Sequence, residues 1–328
     1  MTKIDRALVY LRSENARISL KQLSRHLNKS PQRIKYGLSV LEKGGILSKP
    51  YAVFDYSSFG LIMFKVYFKG AYIKEKDMTQ MVTELEDNPY IVSIYELTGE
   101  FDLVLVFASP NPSRFNKEFK RLRAKIPALN DYRIVLNVVT HRYPRHYLLE
   151  STHISALDTE IILGGDKEKD MLSSKEMLVI KCLVANPLAR FTKIAEKTGL
   201  NVKTVKSIMN GLKKRKILKG FKYVMDTNKL GVHQWRLFLN LHNLSAERET
   251  ELMKYFLKTS EVVQTNKTVG DWDVEVEIES PEKSTIRRII SEIKEEFADI
   301  LEGFSLIEIY KYDKKSYLPK YLFEEQSN

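Results

Sequence analysis

Two windows of the chain carry basic side chains with no acid among them and could neutralise phosphate groups. No Asp or Glu occurs from Asn15 to Leu41 or from Lys197 to Met225. The basic residues of the first window are Arg17, Lys21, Arg25, Lys29, Arg33 and Lys35. Those of the second are Lys197, Lys203, Lys206, Lys213, Lys214, Arg215, Lys216, Lys219 and Lys222. Because such side chains release the counterions condensed on nucleic acid, the windows favour a polyanionic partner.

Each window also places polar side chains at the start of a predicted helix, where they could reach base edges or phosphates. Arg33 and Lys35 are the strongest candidates in the first window, and Lys203 and Lys206 in the second. The full set of predicted DNA-contacting residues is Ser30, Gln32, Arg33, Lys35, Tyr36, Lys203, Thr204, Lys206 and Ser207. A solvated face on a protein–protein module is the alternative interpretation of the same residues.

Three short helices are predicted over residues 3–49, the first two from apolar residues at helical spacing. The third begins at Ser30-Pro31, since serine caps helices and proline is tolerated in the first turn, and ends at Gly44-Gly45. Asn28 precedes it and can adopt the left-handed conformation that a tight turn requires. This arrangement is typical of a helix-turn-helix, whose second element enters the major groove.

The pattern changes to that of strands after residue 60. The predicted strands are Leu61–Lys69, Tyr90–Leu97, Phe101–Phe107 and Tyr132–Val139, with helices at Lys74–Asp87 and Pro112–Lys125 between them. The order βαββαβ is that of a ferredoxin-like domain. We therefore predict an α+β chain.

The whole pattern recurs at an offset of 171 residues. Ile34, Leu41, Ile46, Gly60, Gly99 and Asp102 recur as Val205, Leu212, Ile217, Gly231, Gly270 and Asp273. A repeat this long indicates two copies of one structural unit. The predicted parts are a helix-turn-helix domain (1–49), a ferredoxin-like domain (50–150), a linker (151–171), a second helix-turn-helix domain (172–222) and a second ferredoxin-like domain (223–328). Two such modules about a pseudo-two-fold axis suggest a reader of two DNA half-sites.

Composition narrows the class of protein further. The formal net charge of +11 and the pI of about 9.3 agree with a polyanionic partner. Cys182 is the single cysteine, so one chain cannot form a disulfide or a thiolate metal site. No stretch approaches 18 apolar residues and Met1–Asp5 starts no signal peptide, so we expect a cytoplasmic protein without a membrane partner. No metal and no cofactor is expected.

Each half resembles the Lrp/AsnC, or feast/famine, transcription regulators, which join a plain or winged helix-turn-helix to a βαββαβ ligand-sensing (RAM) domain. The first half carries this resemblance in Asn15-Ala16-Arg17, Leu23-Ser24, Gly45-Ile46, Phe59-Gly60 and Thr98-Gly99-Glu100-Phe101-Asp102. The second half carries it in Asn186-Pro187-Leu188-Ala189-Arg190, Gly199-Leu200, Ile217-Leu218-Lys219-Gly220-Phe221, Leu230-Gly231 and Gly270-Asp271-Trp272-Asp273. The order and spacing of these motifs, given twice, are more specific than any one of them.

The resemblance implies a sequence-specific regulator whose sensing domains pair through their sheets, here as a pseudo-dimer within one chain, with homo-oligomers as a further state. It also implies that a small effector such as an amino acid binds near the Gly-x-x-Asp turns. The corresponding residues are Gly99, Asp102, Gly270 and Asp273. A structural role is the alternative, since glycine supplies a positive φ and aspartate hydrogen-bonds a turn.

Two departures from the family pattern concern the third helix of each copy. The family usually has an arginine where this chain has Gly37 and Ile208. The glutamate and glycine that usually close the helix are Glu42 and Gly45 in the first copy but Lys213 and Lys216 in the second. The second copy is therefore expected to anchor phosphates more than it recognises bases.

An enzyme is the chief alternative of another class, because siroheme decarboxylases share this architecture, sometimes as two fused halves. That resemblance would require a His-Asn-Tyr-x-Arg run on the second strand of the sensing domain. The chain has Ile94-Tyr95-Glu96-Leu97 and Thr265-Asn266-Lys267-Thr268 there, so we expect no enzymatic activity. A non-specific DNA binder or a scaffold that has lost DNA binding is the remaining alternative, and the basic helices argue against the scaffold.

Overall fold

The structure, a computed structural model, describes residues 4–70, 74–149 and 160–324. The elements of the first half are α1 (Arg6–Glu14), α2 (Leu20–Leu27), α3 (Pro31–Lys43), β1 (Leu47–Phe54), β2 (Ile62–Lys69), α4 (Glu75–Glu86), β3 (Ile91–Thr98), β4 (Leu103–Ser109), α5 (Pro112–Lys125) and β5 (Asp131–Arg142). Those that follow are β6 (Ile161–Gly164), α6 (Ser174–Ala185), α7 (Phe191–Thr198), α8 (Val202–Lys214), β7 (Leu218–Met225), β8 (His233–Leu241), α9 (Ala246–Lys258), β9 (Val262–Val269), β10 (Val274–Ser280), α10 (Ser284–Glu296) and β11 (Leu301–Lys315). The predicted α+β class, with three helices and then βαββαβ in each half, is confirmed.

The segment predicted as a linker contains one strand that the sequence reasoning missed. Residues 151–159 lie outside the described residues, but β6 pairs antiparallel with the end of β5, with Leu163 opposite Thr140. The polar run after Gly164 suggested a loop, whereas the apolar triplet before it buries Leu163 completely. Burial of that side chain gives the short strand its place at the sheet.

Capping residues decide where the helices of both helix-turn-helix units begin. The Ser30 side chain accepts a hydrogen bond from the backbone N–H of Arg33 at 3.4 Å, and α3 starts there. Asn201 caps α8 in the same way by accepting from Thr204 at 2.8 Å. The turns before these helices are left-handed, at Asn28 (φ 50°) as predicted and at Gly199 (φ 68°). The tight turn sets α3 against α2 and α8 against α7.

Eight strands, four from each half, close into one antiparallel ring. Their order is β2, β4, β3, β11, β8, β10, β9 and β5, and β5 pairs again with β2. The halves meet along two seams, where β3 pairs with β11 (Tyr95 opposite Tyr312) and β5 pairs with β9 (Thr140 opposite Asn266). Closure removes the free strand edges of both sheets. The two ferredoxin-like domains therefore pair through their sheets, edge to edge.

A separate two-stranded ribbon, β1 with β7, joins the two helix-turn-helix units. Ala52 lies opposite Phe221 in this ribbon. The Arg17 guanidinium lies 4.2 Å from the Phe221 ring and donates to the backbone oxygens of Pro187 and Ala189 at 2.8 and 3.0 Å. One unit thus contacts the other both through the ribbon and directly.

Apolar side chains pack on both faces of the ring. Outside, α4 and α5 cover one half and α9 and α10 cover the other, with pairs such as Phe64 and Phe115 stacked at 4.1 Å. Inside, Phe238 and Trp272 of the second half pack against Tyr67 of the first. This aromatic cluster makes the two halves share one core. No helix in the described ranges has the length and apolar character to cross a membrane.

Candidate nucleic-acid interface

The helix α3 presents its polar face to solvent because its apolar stripe is buried in the core. Ile34 and Leu41 are buried. All four predicted contact residues on the helix itself are exposed: Gln32, Arg33, Lys35 and Tyr36. Tyr36 is 64% exposed, which is high for an aromatic side chain. The exposed face is therefore available to a partner, with Ser30 holding the start of the helix as its cap.

The helix α8 has the same arrangement with different chemistry. Its stripe, Val205, Met209 and Leu212, is buried. The predicted contact residues are exposed at Lys203, Lys206 and Ser207, whereas Thr204 is half-buried. Lysines therefore dominate this face, while α3 offers a guanidinium, an amide and a phenol.

The cations on these two faces have no acidic partner among the residues that the structure describes. Within the described part of the chain, no carboxylate lies within 4.0 Å of Arg33, Lys35, Lys203 or Lys206, and Lys206 only approaches the Phe191 ring at 5.7 Å. Unpaired cations at exposed positions can neutralise phosphates without first breaking an ion pair.

Other basic residues of the two acid-free windows are paired inside the protein. Lys29 binds Asp5 at 2.5 Å, Arg215 binds Glu176 at 2.7 Å, and Lys222 forms a buried ion pair with Glu14. Counting charges along the sequence therefore overstated the cationic surface, because acids distant in sequence fold onto part of it.

The two Gly-x-x-Asp turns have a structural role in the ring, which was the alternative to effector binding in the sequence. The Asp102 carboxylate accepts from the backbone N–H of Gly70 at 2.6 Å, and the Asp273 carboxylate accepts from that of Leu241 at 2.7 Å. Gly99 and Gly270 have φ values of 129° and 150°. The turns thus fasten neighbouring strand ends, and their binding of an effector stays a prediction.

The sequence reasoning missed a buried polar cluster inside the ring. Glu275 forms an ion pair with Lys65 and accepts hydrogen bonds from Tyr67 at 2.7 Å and Trp272 at 3.1 Å. Burial alone raises the pKa of Glu275, but the charges of Lys65 and Arg236 outweigh it and hold the pKa below its usual value. The signal in the sequence was the alternation Val274-Glu275-Val276-Glu277, which puts carboxylates on one face of a buried strand.

A second buried cluster links α1 to the ring. Arg145 binds Glu279 at 2.8 Å and Glu14 at 3.2 Å, and Glu14 also pairs with Lys222 of the ribbon. Burial raises the pKa of Glu14, but Lys222 and Arg145 outweigh that effect and lower it to about 2. These ion pairs fix the first helix-turn-helix unit to both the ribbon and the ring. No group of three or more potential metal-binding side chains occurs among the residues that the structure describes.

Comparisons with known proteins define the class of this fold. Residues 1–48 match the family described as winged helix-turn-helix DNA-binding. The HTH-type transcriptional regulator FL11 of Pyrococcus horikoshii is 22% identical over 142 residues, which are 43% of this chain and 92% of that protein. The DNA-binding transcriptional activator DecR of Escherichia coli is 26% identical over 132 residues, which are 40% of this chain and 87% of that protein. Each relative thus corresponds in length to one half of the chain.

Each half of the chain resembles helix-turn-helix regulators of the Lrp/AsnC type, so the chain contains two such units in tandem. One fold likeness extends over nearly the full chain. The siroheme decarboxylase NirDL superposes with a TM-score of 0.58 at 14% identity, covering 96% of this chain and 93% of that one. At this identity the likeness concerns the fold, and it shows that the tandem architecture occurs in another protein.

The expectation that the chain is not an enzyme is corrected by that likeness. The architecture that the chain shares over its full length is also the architecture of a decarboxylase. The missing His-Asn-Tyr-x-Arg run concerns one set of side chains and cannot exclude catalysis by others on the same fold. The absence of that run therefore does not exclude enzymatic activity.

Proposed function

We propose that the protein is a sequence-specific DNA-binding transcription regulator that inserts α3 and α8 into successive major grooves. The observation that carries this proposal is the pair of exposed basic faces on α3 and α8, whose cations form no ion pair within the described part of the chain. Phosphate contacts from lysine supply affinity, and side chains such as Arg33 and Gln32 supply base recognition.

The same proposal makes the chain a pseudo-dimer. Each half consists of a helix-turn-helix domain (1–49 or 172–222) and a ferredoxin-like domain (50–150 or 223–328), and residues 151–171 form the linker. The shared ring and the β1–β7 ribbon support this, because both helix-turn-helix units are attached to one body. Half-sites would lie about 10 bp or a multiple apart, which is the spacing of successive major-groove faces. Since α3 and α8 differ in sequence, the site would be an imperfect palindrome.

Regulation by a small effector such as an amino acid is the finer part of the proposal, with Gly99, Asp102, Gly270 and Asp273 as its predicted site. Both turns lie at the ends of strands on the ring, so a ligand there would contact the body that carries both DNA-binding units. The hydrogen bonds of Asp102 and Asp273 to neighbouring strands would have to be kept or exchanged on binding.

The proposal is tested by selecting fragmented source-genome DNA with the purified full chain at about 0.2 M salt, where non-specific phosphate binding is weakened. Enrichment of a two-part motif with helical-turn spacing is expected. Uniform recovery of all fragments would mean a non-specific binder, and recovery of none would contradict DNA binding.

A tetrapyrrole enzyme is the second candidate, and the full-length fold likeness to a siroheme decarboxylase favours it. NirDL is known in complex with an iron-uroporphyrin III analogue. Titrating the chain with iron-uroporphyrin and following the absorbance of the tetrapyrrole tests this candidate. A saturable spectral change supports it, and an unchanged spectrum opposes it.

A further inference from the structure

A cleft of about 500 Å³ lies between the β1–β7 ribbon, α4 and β11, away from the exposed faces of α3 and α8. A smaller void of about 20 Å³ shares Gln234, Tyr312 and Lys315 with the cleft and extends it to Tyr51 and Arg142. The cleft has the size of a small-molecule site. We call the end formed by Lys315 and Arg142 the inner end.

The outer part of the cleft is electrically balanced by local ion pairs. Lys311 binds Glu96 at 2.9 Å and Asp313 at 3.3 Å. Lys49 pairs with Glu86 at 3.3 Å. A ligand at the mouth would therefore meet little net charge.

The inner end holds two basic side chains, Lys315 and Arg142, that form no ion pair within 4.0 Å among the described residues, although Glu277 and Glu279 also line it. In the described part of the chain the Lys315 side chain makes no hydrogen bond or ion pair, and its Nζ lies 4.4 Å from the centre of the Tyr312 ring. Arg142 is buried and donates to the hydroxyls of Tyr51 and Tyr317 at 2.9 and 2.8 Å. No carboxylate of the described residues lies within 4.0 Å of it, and its Nε has no partner.

The acids nearest to these cations are already bound elsewhere. Glu277 accepts from Gln234 at 2.5 Å, Arg236 at 3.0 Å and Tyr312 at 3.0 Å. Glu279 is held by Arg145. Burial, and then the charge of Arg142, lowers the pKa of Lys315 well below its usual value, and the opposing charge of Glu277 only partly offsets this. Arg142 is buried with no carboxylate within 4.0 Å among the described residues, which is costly. An incoming anion would relieve that cost and would favour the charged form of Lys315.

We propose that this cleft binds a small-molecule anion, a carboxylate or a phosphate, with its charged group at the inner end. Lys315 is the direct ligand, and Arg142 supplies the second positive charge. Asp313 Oδ2, which is buried without a hydrogen-bond partner, accepts a hydrogen bond from a donor on the same molecule. The bound anion would contact the ribbon and β11 together. The inference is independent of DNA binding, because it rests on this cleft alone.

Titration calorimetry of the full chain tests the site with inorganic phosphate, acetate and malonate, each against chloride at equal ionic strength. The variants are Lys315→Met, Lys315→Arg and the matched control Lys294→Met. Lys294 is the appropriate control because its ammonium also lies over an aromatic ring, 4.9 Å from Phe304, but outside the cleft.

At least one of the three anions is expected to bind the wild type and the Lys294→Met variant equally. Lys315→Met should weaken that binding about tenfold or more, as expected for loss of a hydrogen bond to a charged group, and Lys315→Arg should retain it. Comparing the affinity for phosphate with the affinities for acetate and malonate shows whether the site binds phosphates or carboxylates. Heats no larger than those of chloride for all three anions, or unchanged affinity in a folded Lys315→Met variant, would overturn the proposal. Circular dichroism checks folding, and Lys315→Gln replaces the methionine variant if that one unfolds.

Discussion

The two halves of the chain share one architecture but differ on the inner face of the ring. Positions related by the 171-residue offset are Val104, Val106 and Ala108 in β4 and Glu275, Glu277 and Glu279 in β10. Both sets are buried. One half therefore lines the ring with apolar groups and the other with carboxylates, at equivalent places in the fold.

This difference makes the halves complementary. Lys65 and Arg145 of the first half bind Glu275 and Glu279 of the second, and Glu14 of the first binds Lys222 of the second. Two copies of the same half could not satisfy these charges. The two halves are thus complementary rather than interchangeable. The ion pairs between them disfavour the pairing of two like halves.

Replacing Glu275 by Val, the residue at the equivalent position of the first half, is expected to have the largest effect. It leaves Lys65 buried without its counter-ion, which lowers the free energy of unfolding by about 3–5 kcal/mol. Urea unfolding measures the change. The double variant Lys65→Met/Glu275→Val should recover most of the loss, because neither charge then remains unpaired. A cost below about 1 kcal/mol for the single variant would mean that the ion pair does not hold the halves together.

Acid should weaken the contact between α1 and the ring. The pKa of Glu14 is about 2 in the folded chain against 4.5 for the free group, so its contribution is present above pH 4.5 and is lost as the pH falls towards 2. The contribution near neutral pH is about 3 kcal/mol. The stability difference between wild type and Glu14→Gln should therefore shrink on acidification in urea unfolding. The exposed Glu42→Gln serves as control, and a difference for Glu14→Gln that is independent of pH would contradict the assignment.

The turn glycines Gly99 and Gly270 allow a comparison of the two seams between the halves, because Gly99 lies against β11 and Gly270 against β5. A Cβ on Gly270 would lie 2.6 Å from Val135 Cγ1 and 3.0 Å from the Ile134 oxygen, whereas one on Gly99 would meet nothing closer than Ile307 at 3.5 Å. Gly270→Ala should therefore destabilise by about 1–3 kcal/mol more than Gly99→Ala, because it overpacks the β5–β9 seam. Equal losses in thermal unfolding would show that strain from the positive φ dominates at both turns.

On the proposed function, α3 and α8 should differ in specificity more than in affinity. Arg33→Ala is expected to cost about 1–3 kcal/mol on the selected site and to relax base preference at one position, as for a guanine contact. Lys206→Ala should weaken binding to all sequences alike and reduce the salt slope by about 1. Binding to selected and scrambled duplexes at several salt concentrations separates the two patterns. Uniform loss from Arg33→Ala would reassign that residue to phosphate.

The sequence predicted the elements whose signals are local. The caps at Ser30 and Asn201 and the left-handed Asn28 follow from residue type and nearest neighbours, and βαββαβ follows from periodicity. Closure of the ring did not follow, because it depends on pairing between β3 and β11, more than 200 residues apart. The Lys65–Glu275 pair was missed for the same reason, since 210 residues separate its members.

The exposed basic faces were predictable in position but not in extent. Arg33 and Lys203 point to solvent as the helical periodicity required. Lys29 and Lys222 belong to the same acid-free windows, yet they are paired with Asp5 and Glu14. Only the tertiary structure separates free cations from paired ones.

The most direct test of DNA recognition by α3 and α8 compares two variants of equal charge change on an enriched genomic fragment. One replaces Arg33, Lys35, Lys203 and Lys206 by Ala, and the other replaces the exposed cations Lys254, Lys258, Arg287 and Lys294 of α9 and α10. Loss of four phosphate contacts predicts a salt slope lower by about 3–4 and an affinity lower by about 100-fold or more for the first variant. The second should bind nearly as the wild type does. Equal losses in both variants would contradict recognition by these helices.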